Sequence, residues 1–293
     1  MSMGQTSDSR RKDMPIFHFA VTRPDGQQQA LMAQLKSLIE TERLVMQAAT
    51  VKIVHLPLFA IEGYSVETRT FDFTLVNSSI FISKNAVKYL KPQLSEKQWC
   101  DLLKKPLYAI GKATASCLKH ELDEYEISNN VIYPENATSE SLLELSELQS
   151  VEKQNWLIIK GIAGRDKLRT ELLKRNALVH ELEVYQRRMP PQIIQKEITE
   201  QRNMDLKAAS KTTTVWIVSS SQGLKNLSAI LNPKIKDSQD GRTAQDCLVI
   251  TTSDRITGVA TTLGFKTVAQ SKNATDEALI ACAIGFMREK FLA

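Results

Sequence analysis

The chain has 293 residues and a formal charge of +5, too long for one typical core and of a size that suits two ordinary domains. Its mildly basic balance favours anionic ligands, yet no basic block interleaved with aromatics occurs, which excludes a nucleic-acid-binding signature. Cys100, Cys117, Cys247 and Cys282 lie far apart, a spacing that argues against a zinc site or a disulfide framework and makes them reduced core thiols.

No apolar run approaches membrane-spanning length and no secretory leader is recognisable, so the expected compartment is the cytoplasm, with no membrane partner. Residues 1–14 are polar and charged and read as a flexible tail. The run Ile16 to Val21 (IFHFAV) is a buried strand, and Thr22-Arg23-Pro24-Asp25-Gly26 turns the chain into a helix with Leu31, Leu35, Leu38 and Ile39 on its inner face. A second strand falls near 51–55. From Leu56 to Phe73 the pattern is irregular, with Pro57 and Gly63 among Thr, Val and Phe residues, and predicts extended chain leaving one domain for another. Strand and helix signals resume at 80–90 (IFISKNAVKYL), 107–118 (LYAIGKATASCL) and 136–143 (NATSESLL). Next, WLII at 156–159 reads as a buried strand, and the turn after it is marked by Lys160-Gly161 and Gly164-Arg165. A helix with Leu168 and Leu172 on one face follows, Asn176 sits where a left-handed C-cap is wanted, and a strand runs from Val179 to Tyr185. Strict alternation puts Leu182 and Val184 on one face of that strand and Glu181, Glu183 and Tyr185 on the other. Segments 186–212 and 232–246 are polar and read as a partly helical connection and a surface insertion with little chemistry.

The chain repeats itself. Asn136-Ala137-Thr138 recurs as Asn273-Ala274-Thr275, a separation of 137 residues, and the same separation carries Ser83 onto Ser220. Each copy reads strand, helix, strand, helix, strand, helix, and each is preceded by a strand-helix-strand unit, at 16–55 and 156–185. Such alternation predicts two doubly wound α/β domains built on parallel sheets. Sequence order alone would divide the chain near residue 150, although a strand-helix-strand unit could join the sheet of either copy.

In open α/β sheets ligands bind beyond the carboxyl ends of the strands, where helix N-termini offer unpaired N–H groups. The loops predicted there contain Arg23, Ser83 with Lys84, Gly111 with Thr114, Lys160 with Gly161, Ser220 and Ser253. Taken singly, each reads as ordinary capping and turn chemistry. Together they make a donor-rich site suited to a ligand with several carboxylates or phosphates. A P-loop is excluded, because Pro106 stands where the motif needs its first glycine. His18, His55, His120 and His180 show no ligand pairing or triad, and no metal site is expected. Thr138 and Thr275 are better read as helix N-caps than as parts of glycosylation sequons. On position alone, Tyr185 is an ordinary half-buried strand residue.

In order and spacing, the opening strand ending in VTRP, then HLPLFAIE, LYAIGKATA, LIIKGIAGR, ELEVYQR and LGFKTVAQSKNATDEAL resemble the uroporphyrinogen-III synthase family of tetrapyrrole biosynthesis. The resemblance spans nearly all of residues 16–285. It implies two flavodoxin-like α/β domains with a ligand cleft between them: a discontinuous one of residues 15–56 plus 190–293, and a second of 57–189. A two-stranded connection near Leu56 to Ala60 and Gln186 to Pro190 joins them. The implied activity is cofactor-free conversion of hydroxymethylbilane, a linear tetrapyrrole polycarboxylate, into uroporphyrinogen III, with loss of water and inversion of the last pyrrole through a spiro intermediate. The enzyme's task is then mostly to hold two chain ends in a reactive geometry.

Carried over by motif, Tyr185 matches the family's important tyrosine and is expected to assist departure of the hydroxyl; tyrosine phenols as a class keep their proton at neutral pH. Ser83, Thr114 and Ser220 match cleft positions that would bind carboxylates, and Lys160, Gly161 and Arg165 match a basic, glycine-bearing turn. Lys160 stands where an arginine is common and Asn176 where glycine is usual. The loop Thr252-Ser253-Asp254-Arg255-Ile256 lacks the paired threonines of some relatives. A monomer is expected, with at most transient contact with the preceding pathway enzyme. The competing expectation is a noncatalytic homologue or a two-domain binding module for a polyanionic small molecule.

Overall fold

Ile16–Val21 forms β1, buried from its second residue onward, as an unbroken apolar run does in a sheet covered on both faces. The structure, a computed structural model, describes residues 16–41, 50–66, 71–206, 212–232 and 246–292. The expected tail and nearly all of the expected insertion lie outside these residues. After β1 come α1 (Gln29–Thr41), β2 (Thr50–His55), β3 (Ala60–Gly63), β4 (Ser78–Phe81), α2 (Lys84–Leu90) and α3 (Glu96–Leu103). Then follow β5 (Leu107–Ala109), α4 (Lys112–Glu124), β6 (Val131–Ile132), α5 (Ser139–Leu143), β7 (Asn155–Gly161), α6 (Lys167–Lys174) and β8 (Leu178–Arg188). The described chain closes with α7 (Gln192–Leu206), β9 (Thr212–Ile217), α8 (Ser221–Leu231), β10 (Leu248–Thr251), α9 (Asp254–Thr262), β11 (Thr267–Gln270) and α10 (Asp276–Leu292).

These elements fall into two units, one of residues up to Ala60 and from Arg188 onward, the other running from Ile61 to Arg187. In the first, the strands lie in the order β2-β1-β9-β10-β11, all parallel. In the second the order is β3-β8-β7-β4-β5-β6, parallel from β8 to β6. Equating β7 with β1 and β4 with β9 gives one spatial order for five strands of each sheet, with β3 added at the edge of the second. The two repeat copies, starting at β4 and β9, therefore each pair with a strand-helix-strand unit that follows one copy and precedes the other. A cut near residue 150 would separate β7 from β4, to which it is hydrogen-bonded.

Local chemistry explains the helix ends. Ser83 and Ser220, equivalent in the repeat, each accept a backbone N–H three residues on, from Ala86 at 3.1 Å and Gly223 at 3.0 Å. Thr138 and Thr275 do the same for Ser141 and Ala278, as N-caps should. After α6, Asn176 is in the left-handed region at φ 59°. Ala177 N–H reaches the Leu172 carbonyl and Asn176 N–H that of Leu173, the paired bonds of a Schellman stop.

Each sheet carries its own core. In the unit of 61–187, Phe81, Leu157, Ile159 and Leu182 pack with α2 and α4 residues on one face, and Ile80, Trp156 and Ile158 pack with α6 residues on the other. In the other unit, Phe17, Phe19, Val215 and Ile217 cluster with α1 and α10 residues. The opposite face is less apolar than the sequence implied. Helix α7, expected as a connection with little chemistry, buries Gln201, Arg202 and Asp205. Gln201 Nε2 donates to Thr214 Oγ1 at 2.8 Å and also meets His18 Nδ1, and Thr214 Oγ1 donates to Asp205 Oδ1 at 2.9 Å. Of the four cysteines only Cys247 is fully buried, and burial pushes its thiol up to about 12. No described helix is long and apolar enough to cross a membrane.

Candidate functional site

Tyr185 owes its position to a break in strand register. Along β7 and β8, Ile158 lies opposite Glu181, Ile159 opposite Leu182 and Lys160 opposite Glu183, but Gly161 lies opposite Tyr185. One extra residue on β8, Val184, is accommodated by this irregularity, and an insertion of one residue reverses the face of everything after it. The alternation expected from sequence placed Tyr185 with Glu181 and Glu183. The structure corrects that: Tyr185, 5% exposed, belongs to the same core cluster as Leu182 and Val184. There the N-terminus of α2 meets it.

At that meeting point the Ser83 hydroxyl donates to the Tyr185 phenol oxygen at 3.0 Å, while the Ser83 oxygen accepts the Ala86 N–H. The cap bond orients Ser83 and the Ser83 proton points at Tyr185. The phenol's own proton is then left for another acceptor. Gly161 completes the arrangement from below: a Cβ built there would lie 2.5 Å from Tyr185 Cε2 and 2.6 Å from Cζ, so only glycine leaves the ring its place.

Lys160 points to the other face. It is buried, with Nζ 2.8 Å from Glu181 Oε1 and 3.2 Å from Asp166 Oδ1. Burial alone would pull its ammonium down, but the hydrogen bonds it donates to these two carboxylates more than offset that and hold it above the usual lysine range. Its charge is thus neutralised between Asp166 of the turn and Glu181 of β8. Arg165, in the same turn, is exposed, as is Lys84 on the first turn of α2.

Gly111 and Thr114 begin α4 beyond the end of β5. Gly111 supplies no side-chain cap, and a Cβ on it would lie 2.5 Å from the Cβ of Ala137, in the Asn-Ala-Thr loop before α5. Thr114 is buried at 4% exposure. In the other unit Ser253 precedes α9, also without a side-chain cap bond. Each unit therefore has a middle helix whose first-turn N–H groups are left uncapped by a side chain, flanked by helices that serine and threonine do cap. Arg23, just past β1, binds Asp276 at 2.6 Å, and Arg255 donates to Ser221 at 2.8 Å beside the Ser220 cap. Asp166, Glu181 and Asp276, the carboxylates that hold Lys160 and Arg23, were missed in sequence because none forms a local motif with its partner's type.

The strand order sorts these residues. Ser83, Gly111 and Thr114 follow parallel strands of one sheet at its carboxyl edge, where Gly161 ends β7 and Tyr185 is the last β8 residue paired with it, while Arg23, Ser220 and Ser253 follow strands of the other. Among the described residues no group of three or more His, Cys, Asp or Glu side chains is arranged to hold a metal ion.

Known proteins share this architecture. The chain is 41% identical over 111 residues to uroporphyrinogen-III synthase of Proteus mirabilis, a stretch that is 36% of this chain and 51%, about half, of that relative. It is 26% identical over 263 residues to uroporphyrinogen-III synthase of Salmonella typhimurium, covering 89% of this chain and 97% of that one. The crystal structure of uroporphyrinogen-III synthetase from Helicobacter pylori shares the fold at a TM-score of 0.55 and 19% identity, over 80% of this chain and 93% of that one. The family model described as Uroporphyrinogen-III synthase HemD matches residues 40–281, well over half of the sequence, and the chain belongs to the uroporphyrinogen-III synthase family.

Proposed function

We propose that the chain is a lyase without a resident cofactor that closes hydroxymethylbilane into uroporphyrinogen III, in haem biosynthesis. Tyr185 gives its phenol proton to the departing hydroxyl. The carbon–oxygen bond breaks, water leaves, and the electrophilic carbon is attacked by the substituted carbon of the last pyrrole to form a spiro centre. Rearrangement and loss of a proton from the ring system complete the inversion, and the proton released balances the one that left in the water. No electrons are exchanged, so the chemistry asks for proton transfer and geometry rather than a redox group.

The observation that carries this reading is the Ser83 to Tyr185 hydrogen bond at the carboxyl edge of a parallel sheet. A donor held on the phenol oxygen stabilises the negative charge that grows there as the proton departs. Within the unit of 61–187, carboxylate binding is assigned to the uncapped N-terminus of α4, the Thr114 hydroxyl and the cations Lys84 and Arg165; taken by itself, the other unit offers donors of the same kind at the N-terminus of α9 and at the Ser220 and Ser253 hydroxyls. Each charge-assisted bond contributes about 1.5–3 kcal/mol in a protected site. Lys160 serves by holding the turn that carries Gly161, and Arg23 by fixing the start of α10 through Asp276.

The test supplies enzymatically made hydroxymethylbilane, oxidises the products and separates the porphyrin isomers. Isomer III should dominate; a product that is all isomer I would mean a binding protein or an inactive homologue. In the same assay Tyr185→Phe should lower kcat by about 10²–10⁴-fold, the range for a lost general acid, with an unchanged circular dichroism spectrum. Native turnover in that variant would remove Tyr185 from the chemistry.

A further inference from the structure

Tyr185 has a third neighbour that the chemistry above leaves unused. The ring of Tyr89 lies 29° from parallel with it, at 6.2 Å between centroids. Tyr89 sits on α2, the helix whose N-cap is Ser83, so one short helix reaches Tyr185 at both its oxygen and its ring. Tyr89 is itself held. Its hydroxyl donates to the Ile61 carbonyl on β3 at 2.8 Å, Gln93 Nε2 donates to its backbone carbonyl at 2.6 Å, and Lys88 Nζ lies 5.3 Å from its ring centre. Gly63 makes room for it, since a Cβ there would lie 3.0 Å from Tyr89 Cδ1.

The repeat separates the two parts of this side chain. Position 89 plus the repeat separation of 137 is Asn226, on α8, and Asn226 Nδ2 donates to the Leu58 carbonyl at 2.7 Å. In both copies the helix residue tethers a carbonyl of the segment spanning 58–61. The tether needs only a donor, which a short amide provides in the second copy. The aromatic ring of the first copy is surplus to it, and that ring lies along Tyr185.

A phenol O–H lies in the plane of its ring, because the oxygen conjugates with the aromatic system. Whatever fixes the ring plane therefore fixes the direction in which the proton is offered, and near-parallel aromatic packing resists ring rotation. We propose that Tyr89 is a positioning residue for the reaction, its ring setting the plane of Tyr185 so that Ser83 and the departing hydroxyl address the same oxygen from different sides. The inference rests on Tyr185 being the proton donor.

The experiment compares Tyr89→Phe, which keeps the ring, Tyr89→Asn, which keeps a donor as in the second copy, and Tyr89→Leu, which keeps neither. Each is measured in the native background and in Tyr185→Phe. In the native background the Phe variant should stay within about threefold of native kcat, while Asn and Leu should lose about tenfold in kcat with KM within about twofold, the mark of a misaimed reacting group. With Tyr185→Phe already present, Asn and Leu should cause no further loss. Equal factors of loss in both backgrounds, native kcat in Asn and Leu, or unfolding of both by circular dichroism would each overturn the positioning role. A Tyr185→Phe single variant with native turnover would instead sink the donor reading itself, an outcome visible before Tyr89 is touched.

Discussion

Gly161 is a glycine for steric reasons, since its backbone is not in the left-handed region and its absent side chain is where the Tyr185 ring lies. Alanine there is tolerable to the backbone but not to the ring. Gly161→Ala should lower kcat by at least about tenfold through displacement of the phenol and destabilise the fold by roughly 1–3 kcal/mol, as overpacking does. Kinetics and a urea titration check both, and native kinetics would mean that the ring moves aside at no cost. At this scale the sequence was partly legible: Tyr185, Ser83 and Gly161 were recognisable as candidates from the motifs around them. That Lys160 is buried between Glu181 and Asp166 was not, because an ion pair between residues 21 positions apart leaves no local pattern.

Among the elements, β8 and α7 depart most from expectation, for opposite reasons. The pattern of β8 was regular enough to predict a face for Tyr185, yet the one-residue irregularity opposite Lys160 and Gly161 reversed it; a bulge is a property of pairing, so one strand's sequence cannot reveal it. Helix α7 looked like a solvated connector because it is polar, but its polar groups find partners on β1 and β9. The consequence is a dependence on pH. Burial raises Asp205 to about 6 from its ordinary value of 3.8, against the pull of Thr214 and Arg202. Between about pH 4 and 6 the folded chain then holds a proton there that the unfolded chain lacks, so this group's contribution falls as pH rises through that window, by roughly 3 kcal/mol in all. His18, pushed below its ordinary value chiefly by burial and also by Lys52, with Gln201 acting the other way, contributes in the opposite sense: its share of stability is present above about pH 6.5 and is lost as the ring protonates below it. Replacing Asp205 by Asn should therefore make urea stability fall more steeply on acidification from pH 6 to 4 than in the native chain, since the opposing contribution of Asp205 is removed. Parallel curves for the two proteins would refute the assignment.

For the molecule as a whole, two sheets that share one spatial order over five strands are threaded differently: the strand-helix-strand unit precedes its repeat copy in one and follows it in the other. The unit of 61–187 is continuous in sequence and has a core on both faces of its sheet, with Trp99 and Trp156 fully buried. A fragment of residues 60–188 should accordingly fold alone, with a single cooperative urea transition seen by tryptophan fluorescence; a gradual, noncooperative change would show that the core is insufficient. The alternating pattern, the 137-residue repeat and the capping residues determined the elements, the parallel α/β class and the donors at the strand ends, because hydrophobic period and capping chemistry are local. Only the tertiary structure decided which strand lies beside which, which face Tyr185 takes, and which charges are already neutralised within each unit. Those depend on hydrogen bonds and packing between residues far apart in the chain, whose energies are not written in any one segment.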